Sequence, residues 1–206
     1  FENIHSMRAM RRLKSDPVPT ALIRKILDAG IRAPSGMNLQ AWAFVVLQDR
    51  ENKSFFQARY HKAIVDRFGD ALKPKEEDKS QLAKTARAAI HLGDHLLESA
   101  VLLLVCGKRD WPFAIAPKMR EGKAPPSYGS LYPCVQNILL ACRGLGLGAS
   151  LTTMHQMFED ELQERLGIPL EYGVVATIPI GYPSGKFGPV SRRPAPEVCL
   201  LYTSPS

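Results

Sequence analysis

An α+β fold, a mixed sheet covered by helices, is what the apolar pattern predicts, and three observations carry it. A helix with one apolar face runs over residues 21–32, stops, and gives way to an apolar, β-branched run from Ala43 to Leu47. A second run, Ala100 to Cys106, has the length of a buried strand. A third, Tyr172 to Tyr182, alternates and then becomes continuously apolar, as a central strand does. The helical excursions between them are unequal, and the order β, α, β, α, β then points to α+β.

Residues 1–15 carry a basic segment that reads as a short helix ending near Leu13. Asp16-Pro-Val-Pro-Thr20 is a stiff connector in which Thr20 is placed to cap the next helix. In that helix Leu22, Ile23, Ile26, Leu27 and Gly30 recur at helical spacing. Pro34 and Gly36 break it, and Ser35, Asn38 and Gln40 supply compact donors and acceptors, while Trp42 and Phe44 anchor the strand. A polar loop pinned between a helix end and a buried strand suits a ligand, although an ordinary connection has the same spacing.

Asn52 to Phe68 reads as a helix with Phe55, Phe56, Tyr60 and Ile64 on its apolar side, and residues 69–80 as a polar, proline-broken surface loop. A further helix spans Gln81 to Ser99. Residues 111–128, rich in proline, glycine and lysine, read as well as a plain loop as they do as a lid. Leu131 to Leu145 is a helix with a core stripe of Val135, Ile138, Leu139 and Cys142. Gly144-Leu-Gly-Leu-Gly148 ends that helix instead of opening one after a strand, so it is a C-cap with close packing and not a dinucleotide loop. Ala149 to Met154 reads as a short strand ending in exposed polar residues. Glu159 to Leu166 is a helix closed by Gly167 and Pro169, and beyond Pro183 the chain is loop-like through Arg193.

The chain's 206 residues suffice for one domain with a real core, and its composition, 45% hydrophobic and 23% charged, is ordinary for a globular protein. No stretch stays apolar for the roughly eighteen residues of a membrane-spanning helix. Arg8, Arg11, Arg12 and Lys14 precede no apolar segment of a secretion signal. Phe1 in place of Met points to a start inside a longer reading frame or after processing.

The net charge of +7 (27 basic minus 20 acidic residues) raises the question of a nucleic-acid partner. The basic residues are dispersed, however, and acidic ones interleave with them at Lys73-Pro-Lys-Glu-Glu-Asp-Lys79, so a solvated surface accounts for that stretch. Arg8/Arg11/Arg12/Lys14 and Arg192/Arg193 lack acidic neighbours; brought together by the fold, they would make an anion site suited to a phosphate. Cys106, Cys134, Cys142 and Cys199 have no metal-ligand spacing, and the five histidines form no H-E-x-x-H pattern, so no metal is expected. Buried free thiols and a reducing, cytoplasmic compartment are the expectation.

The stretch Ala33-Pro-Ser-Gly-Met-Asn-Leu-Gln-Ala-Trp-Ala-Phe44 resembles the loop of the FMN-dependent nitroreductase family, where it commonly runs A-P-S-x-x-N-x-Q-P-W-x-F. Upstream, Met7-Arg-Ala-Met-Arg-Arg-Leu13 with Asp16-Pro-Val-Pro19 is similar to that family's opening R-R-S-x-R-x-F…P-V-P. Downstream, Ile180-Gly-Tyr-Pro183 and Ser191-Arg-Arg-Pro194 are similar to its G-Y-P…R-R-P ending. The resemblance implies a nitroreductase-like fold over residues 1–198, a mainly antiparallel sheet covered by helices in an intertwined homodimer. Residues 199–206 depart from the family pattern and read as an atypical tail, foreign or truncated in origin.

The resemblance also implies FMN at the subunit interface, with NAD(P)H as co-substrate. Arg8 and Arg192, with Arg193 beside it, would hold the phosphate. Ala9 stands where the family usually has Ser, leaving its backbone to serve, and Met7 replaces a frequent Arg. Arg11 would lie near the pyrimidine edge of the ring. Pro34, Ser35, Gly36 and Asn38 would reach FMN from the other subunit, while Leu151, Thr152 and Thr153 would line the ring opposite the nicotinamide. Some relatives carry Glu in place of Thr153. No Ser–His–Asp, Cys–His or paired-carboxylate arrangement is recognisable, so no side chain is assigned covalent work.

The activity implied is passage of hydride from NAD(P)H through FMN to a nitroaromatic, quinone or similar small-molecule acceptor, by a ping-pong mechanism, with no nucleic-acid or membrane partner. Related flavoproteins of this fold do other chemistry: flavin breakdown for vitamin B12 synthesis, reductive dehalogenation, or dehydrogenation of peptide-derived rings. A basic nucleic-acid-binding domain is the reading from another class, and the dispersed charge argues against it.

Overall fold

The computed structural model describes residues 1–68, 77–109 and 126–198. Most of the loop expected at 69–80, most of the span read as loop or lid, and the atypical tail lie outside the described residues. Ten elements follow in order: α1 Glu2–Ser6, α2 Thr20–Gly30, β1 Trp42–Leu47, α3 Arg50–Phe68, α4 Gln81–Asp94, β2 Val101–Lys108, α5 Tyr128–Gly144, β3 Gly148–Ala149, α6 Glu159–Leu166 and β4 Tyr172–Gly181.

The strands form one sheet in the order β1-β2-β4-β3. Every pairing among the described strands is antiparallel, in line with the mainly antiparallel sheet that the resemblance implies. The reason lies in a helical hairpin. Near the start of α3, Lys53 Nζ donates to Ser99 O at 2.9 Å, and Gln57 Oε1 accepts from Leu97 N at 2.8 Å. α3 and α4 thus run out and back. They return the chain to the end of the sheet where β1 stopped, and β2 must run the other way, with Leu47 opposite Leu102.

Helices cover both faces. Val101, Leu103 and Val105 of β2 pack with Ile178 and Ile180 of β4 against Ile23 and Ile26 of α2 and Val135 and Ile138 of α5. Leu102, Leu104 and Cys106 face the opposite way, onto Phe56 and Tyr60 of α3, Leu92 of α4 and Leu162 of α6. β2 is buried on both sides, which is why it reads as an unbroken apolar run. Among the described residues no helix is long and apolar enough to cross a membrane.

Several local expectations are corrected. The first helix stops at Ser6, and the chain is non-helical to Pro19. In this stretch Met10 N donates to Ala149 O at 2.9 Å and Lys14 N to Tyr182 O at 2.8 Å, a tertiary pairing that local propensity cannot register. Thr20 is the first helical residue and not the cap; Pro19 holds that position without a side-chain bond. The helix expected to reach Ser99 ends at Asp94 and is followed by a 3₁₀ turn, Leu96–Glu98. Lys53 takes the carbonyls of Leu97 and Ser99 there. The strand expected over 149–154 is two residues long, followed by a single bridge from Thr152 to Thr177 and a 3₁₀ turn at Met154–Met157.

Gly146 ends α5 with φ of 73°, a left-handed conformation that suits glycine. Gly148 is needed for space: a Cβ there would stand 2.8 Å from Leu13 Cδ2, 3.0 Å from Met10 Cβ and 3.1 Å from Pro183 Cβ. Gly148→Val is therefore expected to cost about 1–3 kcal/mol of stability, seen as a fall of several degrees in Tm by circular dichroism.

Candidate functional site

The extended segment after α1 buries Met10 and Leu13 and leaves Arg8, Arg11 and Arg12 on the other side. Those three arginines line a cavity of about 380 Å³ together with Ala9, Gln81, Lys84 and Thr85 of α4 and Lys186 of the loop after β4. Among the described residues the lining therefore carries five cations (Arg8, Arg11, Arg12, Lys84 and Lys186) and no carboxylate. Such a compartment attracts an anion with several oxygens, because guanidinium and ammonium groups donate charge-assisted hydrogen bonds. Arg12 Nη1 lies 3.4 Å from His91 Nδ1. Burial, then Arg12 and the stacked ring of His95, hold His91 below the usual histidine range, so it stays neutral and can accept from the arginine.

A second cavity, about 270 Å³, adjoins the first, because Arg11 and Thr85 line both. Its walls are mostly apolar, with Ile64, Leu82, Ala86, Ala89, Leu151 and Met154, and its polar groups are Arg11, Tyr60, Thr85 and Thr152. Thr152, expected in an exposed segment, is 9% exposed. Its amide and carbonyl exchange hydrogen bonds with Thr177 at 2.9 and 3.0 Å, and Tyr60 OH stands 3.1 Å from its Oγ1. Burial raises the Tyr60 phenol above the usual range. Leu151 lines the same wall, and Thr153 is half-buried before the 3₁₀ turn.

Pro34, Ser35, Gly36 and Asn38 sit elsewhere, on a turn beside the N-terminal end of α5, and line neither cavity. Gly36 N donates to Ser130 Oγ at 3.2 Å, and Gln40 N donates to Ser35 Oγ at 2.8 Å. Met37, Asn38 and Gln40 have φ of 52°, 53° and 49°. Three non-glycine residues in left-handed backbone mark a turn held in shape by its surroundings. Its Met37 side chain is 72% exposed.

Arg192 and Arg193 are exposed and line neither cavity; Arg192 Nη1 donates to Ser191 O at 2.8 Å. The chain just before them is tied to the N-terminal helix, since Val190 N donates to His5 O at 3.2 Å. Sequence reasoning missed Tyr60, Lys84, Thr85 and Lys186 as lining residues. A signal existed for α4: Gln81, Lys84, Thr85 and Ala88 fall at i, i+3, i+4 and i+7, one helix face.

The family model that matches the chain, over residues 4–182, is that of the Nitroreductase family. A protein of Thermus thermophilus named NADH dehydrogenase is 30% identical over 196 residues, 94% of this chain and 91% of that protein. The structure of oxidized iodotyrosine deiodinase bound to FMN and 3-iodo-L-tyrosine is similar, with a TM-score of 0.72 at 23% identity and 98% of each chain covered. A Bacteroides fragilis nitroreductase with bound FMN gives a TM-score of 0.68 at 18% identity, over 98% of this chain and 97% of that one.

Among the described residues no cysteine lines either cavity. Cys106, Cys134 and Cys142 are free and buried, and burial pushes their thiols up to about 12, 11 and 12. They remain protonated near neutrality and are poor nucleophiles. With iodoacetamide at pH 8, peptides carrying these three cysteines should be recovered unmodified from the native protein and alkylated after unfolding, as read by mass spectrometry.

Proposed function

The chain belongs to the nitroreductase family, and from that premise we propose that it is an FMN-dependent oxidoreductase carrying electrons from NAD(P)H to a nitroaromatic, quinone or similar acceptor by a ping-pong mechanism. The observation that supports this most is the junction at Arg11 and Thr85 of a cationic and an apolar compartment. Their chemistry matches a phosphate ester with a flat, largely apolar ring. Bound there, FMN would supply the redox chemistry, taking two electrons from the nicotinamide and giving them to the acceptor in a second half-reaction.

The residues present fit that group. Arg8, Lys84 and Lys186, facing one compartment without a carboxylate, would hold the phosphate, with the Ala9 backbone beside them. Arg192 and Arg193, exposed and outside both cavities, are given no contact with the phosphate. Arg11, at the junction, would place a permanent positive charge by the pyrimidine edge, which favours electron uptake by the occupant. Leu151, Thr152 and Thr153 would wall the ring and keep water from one face.

A homodimer is part of the proposal. The turn carrying Pro34, Ser35, Gly36 and Asn38 cannot reach its own chain's cavities in this arrangement, and a second copy would bring it to them. Beside that turn the exposed Met37 and Leu39 and the stacked Tyr128 and Tyr132 offer an apolar surface for such a copy. A reducing, cytoplasmic setting suits the free buried thiols.

Reductive dehalogenation would use the same cofactor site, and 3-iodo-L-tyrosine belongs among the acceptors screened. The purified protein is expected to carry or take up FMN and to oxidise NAD(P)H when a nitroaromatic or quinone is added. A colourless protein that FMN cannot load would overturn the reading. Arg8→Ala and Arg11→Ala should each weaken FMN binding by about ten- to a hundredfold in a fluorescence titration, with the melting temperature little changed.

A further inference from the structure

We propose that Tyr60 is a positioning residue: its phenol donates to Thr152 and thereby turns the Thr152 hydroxyl proton into the apolar compartment, as an oriented donor to the ring bound there. This rests on the FMN reading above. It concerns a residue of α3 outside the motifs that carry the resemblance, which lie at residues 7–19, 33–44 and 180–194.

The argument is a count of hydrogen-bonding capacity. A threonine hydroxyl has one proton to give and two lone pairs to receive. Thr152 Oγ1 stands 3.1 Å from Tyr60 OH and receives the Met154 amide at 3.4 Å. The backbone of Thr152 is fully engaged with Thr177, which also donates its own hydroxyl to Thr152 O at 3.2 Å. Apart from the Tyr60 oxygen, no acceptor among the described residues is left on that side for the Thr152 proton.

Direction across the Tyr60–Thr152 contact follows from acidity. A phenol is a far stronger acid than an alkyl alcohol, so the phenol donates and the alcohol accepts. Tyr60 is 3% exposed, and among the described residues Thr152 is its hydrogen-bond partner. Its proton would otherwise be buried without an acceptor, a costly state. With Tyr60 donating from α3 and Met154 from the following turn, both lone pairs of Oγ1 are in use. The remaining direction for its own proton is the cavity that Tyr60, Thr152 and Arg11 line together.

The arrangement also explains why a tyrosine is buried in an otherwise apolar cluster with Phe56 and Phe158. Phenylalanine would pack there as well. The hydroxyl is what Thr152 requires.

The test uses the full-length protein loaded with FMN and compares Tyr60→Phe, Thr152→Val and Thr152→Ser with wild type. Readouts are the FMN dissociation constant, the midpoint potential and the visible spectrum of the bound flavin. Tyr60→Phe and Thr152→Val should each weaken FMN about three- to tenfold and shift the potential with the same sign. Thr152→Ser, which keeps the hydroxyl, should keep the wild-type values. The double variant Tyr60→Phe/Thr152→Val should be no worse than Thr152→Val alone, because the two groups act as one. A Tyr60→Phe protein with lowered Tm but unchanged affinity and potential would reduce Tyr60 to a packing residue and overturn the proposal. Should Tyr60→Phe fail to fold, equal potentials for Thr152→Ser and Thr152→Val would overturn it instead. Wild-type protein that binds no flavin would sink the cofactor reading itself, a distinct outcome.

Discussion

Everything at the candidate site depends on the extended N-terminal segment lying along the end of the sheet. Met10 N to Ala149 O, Lys14 N to Tyr182 O and Ser184 N to Arg12 O fix it, and Leu13 bridges Pro183. These are backbone bonds, so the position is set by main-chain geometry and not by the charges the segment carries. Once the backbone is placed, Met10 and Leu13 go inward, and the arginines are left to line the cavity. Freed from that edge, the same arginines would be a solvated basic run. Gly148 is part of the same constraint, because only a residue without a side chain lets the segment approach β3 so closely.

The turn at 33–40 shows a different use of the backbone. Left-handed conformations at Met37, Asn38 and Gln40 cost on the order of 1 kcal/mol each, and such strain persists only where neighbours over-determine it. Ser130 of α5 and the Ser35 hydroxyl do so within the chain. Their bonds hold the turn in shape while leaving Met37 and Leu39 outward. A strained polar turn with apolar residues displayed on it is a poor arrangement for an isolated connection. The proposed homodimer would cover it.

The layers of this fold were legible because each leaves a local period. β2 and β4 are continuous apolar runs, and α2, α3 and α5 carry stripes whose members are the buried ones: Ile23 and Ile26, Phe56 and Tyr60, Val135 and Ile138. What was illegible depends on partners distant in sequence. The direction of β2 follows from the α3–α4 hairpin, which no residue of β2 encodes. The failure of residues 7–13 to form a helix follows from carbonyls more than a hundred residues away. The arginine segment at 8–12 could be singled out, since basic residues without acidic neighbours are visible in one dimension. Lys186 could not, because nothing around it in the loop marks it until the fold faces it toward the arginines, and the helix face that Lys84 shares with Gln81, Thr85 and Ala88 does not say in sequence what it will meet. Thr152 was misjudged as exposed for a related reason: its burial comes from Tyr60 and Thr177, both remote in sequence.

Gathering five cations around one compartment has a cost that the same geometry turns to use. Like charges held within one small cavity repel, and water shields them less in a concave site than on an open surface. Among the described residues no carboxylate lines the cavity to offset this; the acidic residues that do pair with arginines, such as Glu159 with Arg109 and Glu161 with Arg59, are elsewhere. What fixes the segment is uncharged: the backbone bonds of residues 10–14 and the burial of Met10 and Leu13. An anion entering the compartment relieves that repulsion as well as making its own bonds. A carboxylate introduced among these cations would weaken anion binding by the same interaction.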